Sequence, residues 1–351
     1  MTISLYNKVR RLSIIKIRKV IDMQLFKFIF NLKGKRIMGK LVFVVSFCSS
    51  FLILMFALSC SVNERQVTER PAEDETVEET VVENKIAFQS NREGNFDIFI
   101  MDADGSNQQN ITNNPDADDI FPSFSPDGGK IVFQSIFNGT IDIFIIDVDG
   151  SNRINLTDSP DTADAYPVFS PDGEKIAFQS YANGRLDIFI MDADGSNQQN
   201  ITDNPDADDW YPRYSPDGEK IVFDSYRDGI LDIYVMDADG SNQQNITDSP
   251  DTGDRYPVFS PDGGKIVFMS ERDAIFDIYI MDSDGSNQEN LTENPGAVDG
   301  FPSFSPNGDT IAFMSDREGD FDIFIMDTDG SNQQNITDNP DADDSNPCFS
   351  P

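Results

Sequence analysis

The 351-residue sequence has no histidine, one tryptophan, three cysteines, and 26 lysines and arginines against 62 aspartates and glutamates. Each scarcity excludes something. Without histidine there is no Ser-His-Asp or Cys-His catalytic arrangement. Imidazole is also missing from any metal site, which leaves oxygen ligands and hence Ca²⁺ or Mg²⁺. A formal net charge of −36 does not provide the Lys/Arg patches through which nucleic acid or an anionic lipid surface is bound. Cys48 and Cys60 belong to an apolar run near the N-terminus, so the acidic body holds Cys348 alone and forms no disulfide of its own. Cys348 sits in an apolar-aromatic segment and is expected as a small core residue.

The few basic residues are unevenly placed. Residues 1–59 hold 11 of them beside one acid, Asp22, whereas the chain from Cys60 onward sets 15 basic residues against 61 acidic ones. Lys33, Lys35, Arg36 and Lys40 precede an apolar run from Leu41 to Ser59, the pattern of an export signal. Residues 1–37 read as a long n-region or as a start set too far upstream of Met38. Residues 38–59 read as a signal peptide or membrane anchor. The end of the run, Ala57-Leu58-Ser59-Cys60, resembles the bacterial lipobox, which implies that Cys60 is lipidated and becomes the mature N-terminus. Simple cleavage before Cys60, or retention of the run as an uncleaved span, are the alternatives. All three carry the remainder out of the cytoplasm and confine membrane attachment to this end. Residues 60–84 follow, with eight acids between 61 and 84, one proline and no aromatic residue, the composition of a disordered tether.

From Lys85 the chain repeats itself. K-I-[AV]-F begins at Lys85, Lys130, Lys175, Lys220 and Lys265, and T-I-A-F at Thr310, with 45 residues between successive copies. Each unit contains P-x-[FY]-S-P, K-I-[AV]-F, D-I-[FY]-[IV]-[MI]-D and N-[IL]-T. These β-branched and aromatic runs read as strands, and Asp-Gly turns join the first to the second and the third to the fourth. A period in the forties suits a four-stranded propeller blade. The first unit lacks its own P-x-[FY]-S strand, and Pro347–Ser350 at the far end supplies one. That offset predicts a ring closed by joining both ends of residues 85–351 in one blade.

F-S-P-D-G-x-K-I-A-F followed by D-I-[FY]-[IV]-M-D-x-D-G-S-N and N-[IL]-T is similar to the TolB-type β-propeller repeat, six times over. The resemblance implies an all-β, six-bladed propeller with the P-x-[FY]-S strand innermost. It also implies a monomeric, non-enzymatic protein of the bacterial cell envelope that binds a protein or peptide.

In such a meander, loops between the second and third strands and between units lie on one face, with the tight turns and Lys85 on the other. The D-x-D-G-x-N turn (Asp102, Asp104, Asn107) opens like a Ca²⁺ loop but lacks the later bidentate acid, so it reads as hairpin chemistry. No cofactor is expected, with Ca²⁺ as the metal alternative. Asn110 and its counterparts in N-x-T read as polar positions of an outer edge strand. Asp97, Asp142, Asp187, Asp232, Asp277 and Asp322 are expected to fix the turn before the third strand. The inter-unit loops carry about three carboxylates each and suit a partner with a basic segment. Among nearly uniform repeats, Trp210, Tyr211, Arg213, Arg255 and Tyr256 stand out near that mouth, beside Asp206, Asp208 and Asp209. They are the residue types favoured at binding hot spots. The competing reading is a Ca²⁺-dependent propeller hydrolase or lactonase, which requires Glu, Asn and Asp ligands inside the ring.

Overall fold

The computed structural model describes residues 84–351 apart from 159–161, 183, 228, 250–251 and 273–274, all within the unit Thr80–Pro351. The export segment and Cys60 lie outside the described residues. Six four-stranded antiparallel sheets follow one another, each ordered inner, second, third and outer strand. Blade 1 is built from Asp344–Phe349, Lys85–Ser90, Asp97–Asp102 and Gln109–Asn110. Blades 2 to 6 run in chain order, with inner strands Asp118–Phe124, Asp164–Phe169, Asp208–Tyr214, Asp254–Phe259 and Asp299–Phe304.

The second strands read as continuous apolar runs because both of their faces are covered. Along Lys85–Ser90, Ile86 and Phe88 pack with Ala312 and Ile323 of blade 6, while Ala87 packs with Ile131 and Phe133 of blade 2. The pleat thus sends alternate side chains to alternate neighbours. Phe88, Phe133, Phe178, Phe223, Phe268 and Phe313, at the same point of each blade, are the largest fully buried side chains. Burying one such ring contributes roughly 1.5–3 kcal/mol.

Closure is as the offset predicts. Ile86 pairs with Phe349 and Ala87 with Cys348; the Ser350 amide donates to the Lys85 carbonyl at 2.7 Å, and the Lys85 amide donates to Ser350 Oγ at 2.8 Å. The turn between third and outer strands also binds blade to blade. Gly105 has φ 86°, and a Cβ there would lie 2.1 Å from the Ile336 carbonyl oxygen of blade 6. Only glycine permits both the left-handed backbone and that approach.

The D-x-D-G-S-N turns are hairpins. Asp102 accepts from Lys85 Nζ at 2.6 Å and Asn107 Nδ2 at 2.5 Å, and these bonds hold its carboxyl below the usual carboxylate range. The recurrent Asp97 has a different task from the one expected. Its carboxylate accepts Asn110 Nδ2, Thr112 Oγ1 and the Asn114 amide, each at 2.9 Å, so it fastens the two-residue outer strand and the following loop to the third strand. N-x-T is therefore the other half of a structural clasp, and the same partners recur around Asp187, Asp232, Asp277 and Asp322.

Candidate functional site

Each inner strand starts earlier than its motif suggests and carries a bulge, because the register slips between Trp210 and Arg213 and at the matching points of the other blades. The bulged residues are Phe121, Tyr166, Tyr211, Tyr256, Phe301 and Asn346, with φ between 52° and 56°. A left-handed backbone is costly for an aromatic residue, and here it turns six side chains into the central channel. Gln89 Oε1 accepts the Phe121 amide, Gln134 Oε1 the Tyr166 amide, and the Asp224 carboxylate the Tyr256 amide, at 3.0–3.2 Å. Burial raises the Asp224 carboxyl well above its ordinary range.

Five aromatic rings meet in sequence around the channel. Centroids lie 4.2 Å apart for Phe121–Tyr166, 4.1 Å for Tyr166–Tyr211, 4.0 Å for Tyr211–Tyr256 and 4.1 Å for Tyr256–Phe301. Asn346 takes the sixth place and donates to Gln89 Oε1 at 2.7 Å. Tyr256 donates its hydroxyl to Tyr211, and Tyr211 to Tyr166, at 2.7 and 3.1 Å. Burial raises all three phenols above their usual range. A cavity of only about 40 Å³ remains at this level, so the rings act as a plug.

This plug divides the residues that the sequence grouped together. Trp210 precedes it on the loop face and is half-buried. Tyr211 and Tyr256 form part of it. Arg213 lies past it, lining the channel toward the tight-turn face. Arg255 stacks its guanidinium 5.4 Å from the Phe276 ring. Of the acids, Asp206 is exposed, and Asp208 is half-buried and accepts the Leu186 amide at 3.1 Å.

Asp209 is withdrawn from the surface altogether. It is fully buried, accepts Ser225 Oγ at 2.5 Å and pairs with Arg227 at 3.3 Å. Burial pushes its carboxyl above the ordinary range. Its counterparts Asp344, Asp119, Asp254 and Asp299 pair likewise with Arg92, Arg153, Arg272 and Arg317. In each case the guanidinium also covers an aromatic pair, as Arg92 does at 4.6 Å from Phe99. Such ion pairs fix geometry more than they add net stability. The expectation that Asp209 faces a partner is thereby corrected. Cys348 is half-buried, packs against the apolar core between blades 1 and 2 as the sequence reading expects, and also lines the channel.

The structure adds three residues that sequence reasoning missed. In blades 2, 3 and 4 the second and third strands extend to eight residues each (Lys130–Phe137 with Thr140–Asp147, Lys175–Ala182 with Arg185–Asp192, Lys220–Arg227 with Ile230–Asp237). The corresponding strands have six residues in blades 1, 5 and 6. On the longer hairpins Phe137, Tyr181 and Tyr226 are 47–48% exposed. The available signal was Asn138-Gly139, a two-residue hairpin turn.

The architecture and repeat sequence meet in known proteins. The TolB β-propeller domain family matches residues 159–256 and 251–351. The chain belongs to the TolB β-propeller domain family. TolB from Acinetobacter baumannii superposes with a TM-score of 0.67 at 26% identity, covering 76% of this chain and 67% of that one. A putative TolB from Agrobacterium tumefaciens gives 0.61 at 22% identity, over 76% and 99%. Hydrazine synthase from Kuenenia stuttgartiensis gives 0.63 at 17% identity over 76% and 46%, a likeness of fold alone. No curated protein matches the chain in sequence.

Proposed function

We propose that this TolB-type propeller is a non-enzymatic, exported envelope protein, lipid-anchored through Cys60, that docks a protein or peptide on its loop face. The observation that carries this reading is the exposure of Phe137, Tyr181 and Tyr226 at the tips of three successive hairpins. In a ring whose blades are otherwise nearly uniform, exposed aromatic residues on the hairpin tips of three neighbouring blades mark an interaction surface. Trp210 lies on the inner strand of the same sector. Exposed Asp206 and the similar inter-blade loops supply negative charge that speeds encounter with a basic segment.

A channel-metal hydrolase fits the residues poorly. The larger channel cavity is lined by serine, proline, valine, aromatic residues, Arg213 and Cys348, with no Asp or Glu side chain. That is not the oxygen-donor set of a calcium centre.

The test is capture from envelope extract by the full chain, followed by binding of the captured partner to the triple variant Phe137→Ser, Tyr181→Ser, Tyr226→Ser. The variant should melt as the parent does, since these side chains are exposed, and lose at least about tenfold in affinity, mostly through a faster off-rate. Unchanged affinity would move the docking surface elsewhere.

A further inference from the structure

Behind the aromatic plug the channel widens into a cavity of about 480 Å³ that opens on the tight-turn face. Its wall just past the plug is one residue from each inner strand: Ser123, Val168, Arg213, Val258, Ser303 and Cys348. Arg213 is the only charged side chain on that wall. It forms no hydrogen bond or ion pair with any described residue. Five other arginines of the blades each pair with a buried aspartate.

The variation around the ring has an axis. Blade 4 faces blade 1, so Arg213 stands across the channel from Cys348. Valines flank Arg213 on both sides, and serines flank Cys348 on both sides. The plug varies about the same diameter, with Tyr211 opposite Asn346, tyrosines beside Tyr211 and phenylalanines beside Asn346. Near-identical repeats have thus diverged at the channel along one diameter, with one cation at one end of it.

We propose that this cavity is a binding site for a carboxylate, whose two oxygens pair with the Arg213 guanidinium while Ser123, Ser303 and Cys348 face the rest of the molecule. The half-buried Arg213 guanidinium lines the open cavity with no protein acceptor among the described residues, and a carboxylate matches its planar fork with two parallel bonds. The plug makes the cavity blind, so the ligand enters from the tight-turn face. The carboxylate belongs to a small molecule or to the C-terminal end of a peptide. This site lies on the other side of the plug from the proposed docking surface and does not depend on that reading.

Cys348 supplies a reporter. Iodoacetate and iodoacetamide both alkylate a thiol by forming an S–C bond and expelling iodide, with the thiol proton passing to solvent. Only iodoacetate carries the carboxylate. In the folded full chain, the ratio of iodoacetate to iodoacetamide rates at Cys348, read from the mass of its peptide, should exceed the ratio in the denatured chain by roughly tenfold, the scale of one charge-assisted pair. Arg213→Gln should remove that excess, and Arg213→Lys should keep part of it.

Acetate, against chloride at equal ionic strength, should protect Cys348 of the unaltered protein saturably, which needs no variant to fold. N-acetyl-trialanine as the free acid and as the carboxamide separates the two sources. Tighter protection by the acid than by acetate assigns a peptide end, and equal protection assigns a small carboxylate. Protection by the carboxamide equal to that by the acid, or an unchanged rate ratio in Arg213→Gln, overturns the site.

Discussion

Blades 2 to 4 and blades 5, 6 and 1 share one frame and differ at their hairpin tips. In blades 5, 6 and 1 the second strand stops at six residues, and Arg272, Arg317 or Arg92 folds back over the aromatic pair to the buried aspartate. In blades 2 to 4 the hairpin runs two residues further and leaves Phe137, Tyr181 and Tyr226 in solvent. The guanidinium is kept where it can be. Arg227 still reaches Asp209. Blade 2 has Phe137 at the usual position and supplies Arg153 from the outer edge instead. Blade 3 has neither, since Ala182 and Gln198 stand at the two positions, and Asp164 is held by Ser180 and Thr162. All three blades have thus gained an exposed aromatic residue, and blade 3 alone has done so with the loss of its internal ion pair.

That contrast can be tested by moving its parts. The largest effect is expected from Arg317→Ala, which strands fully buried Asp299 without its cation and should cost about 3–5 kcal/mol in chemical denaturation. The reciprocal change Ala182→Arg gives blade 3 the missing partner for Asp164 and should stabilise by up to about 2 kcal/mol. Equal, near-zero effects would show that the pairs do not organise the blades.

Asp224 separates blade 4 from blades 1 to 3, which carry Gln89, Gln134 and Gln179 where it stands. Its folded-state pKa is raised by burial, so the protonated form favours folding at low pH. That contribution falls as pH rises through the raised folded value. Asp224→Gln, whose amide oxygen can still accept the Tyr256 amide, should therefore gain about 1–3 kcal/mol above that range. The gain should vanish below the ordinary carboxylate value of 3.8. Melting temperatures at acid and neutral pH check this, and a pH-independent difference would contradict it. The smallest effect is local: Gly139 has φ 87° in open space, so Gly139→Val should cost about 1 kcal/mol through backbone strain alone.

Much of this was legible in the sequence. The 45-residue period, the Asp-Gly turns and the displaced P-x-[FY]-S strand sufficed for blade, ring and closure, because each is a short-range pattern repeated six times. The site was less legible. Trp210 and Arg213 are three residues apart, and nothing local shows that a bulge seats Tyr211 between them as a plug. Asp209 looks like its neighbours Asp206 and Asp208, and only the approach of Ser225 and Arg227 shows it to be interior. Phe137, Tyr181 and Tyr226 were hidden because an aromatic residue in a strand is read as core until its sheet neighbours are known.

The central claim, that the tips of blades 2 to 4 form the docking surface, is tested most directly by a photo-crosslinking residue placed at Tyr181 or at Asp316, the matching position of blade 6. Irradiation of the full chain in envelope extract should give a discrete adduct from position 181 and none from position 316. Adducts of equal yield from both, or from 316 alone, would contradict the account.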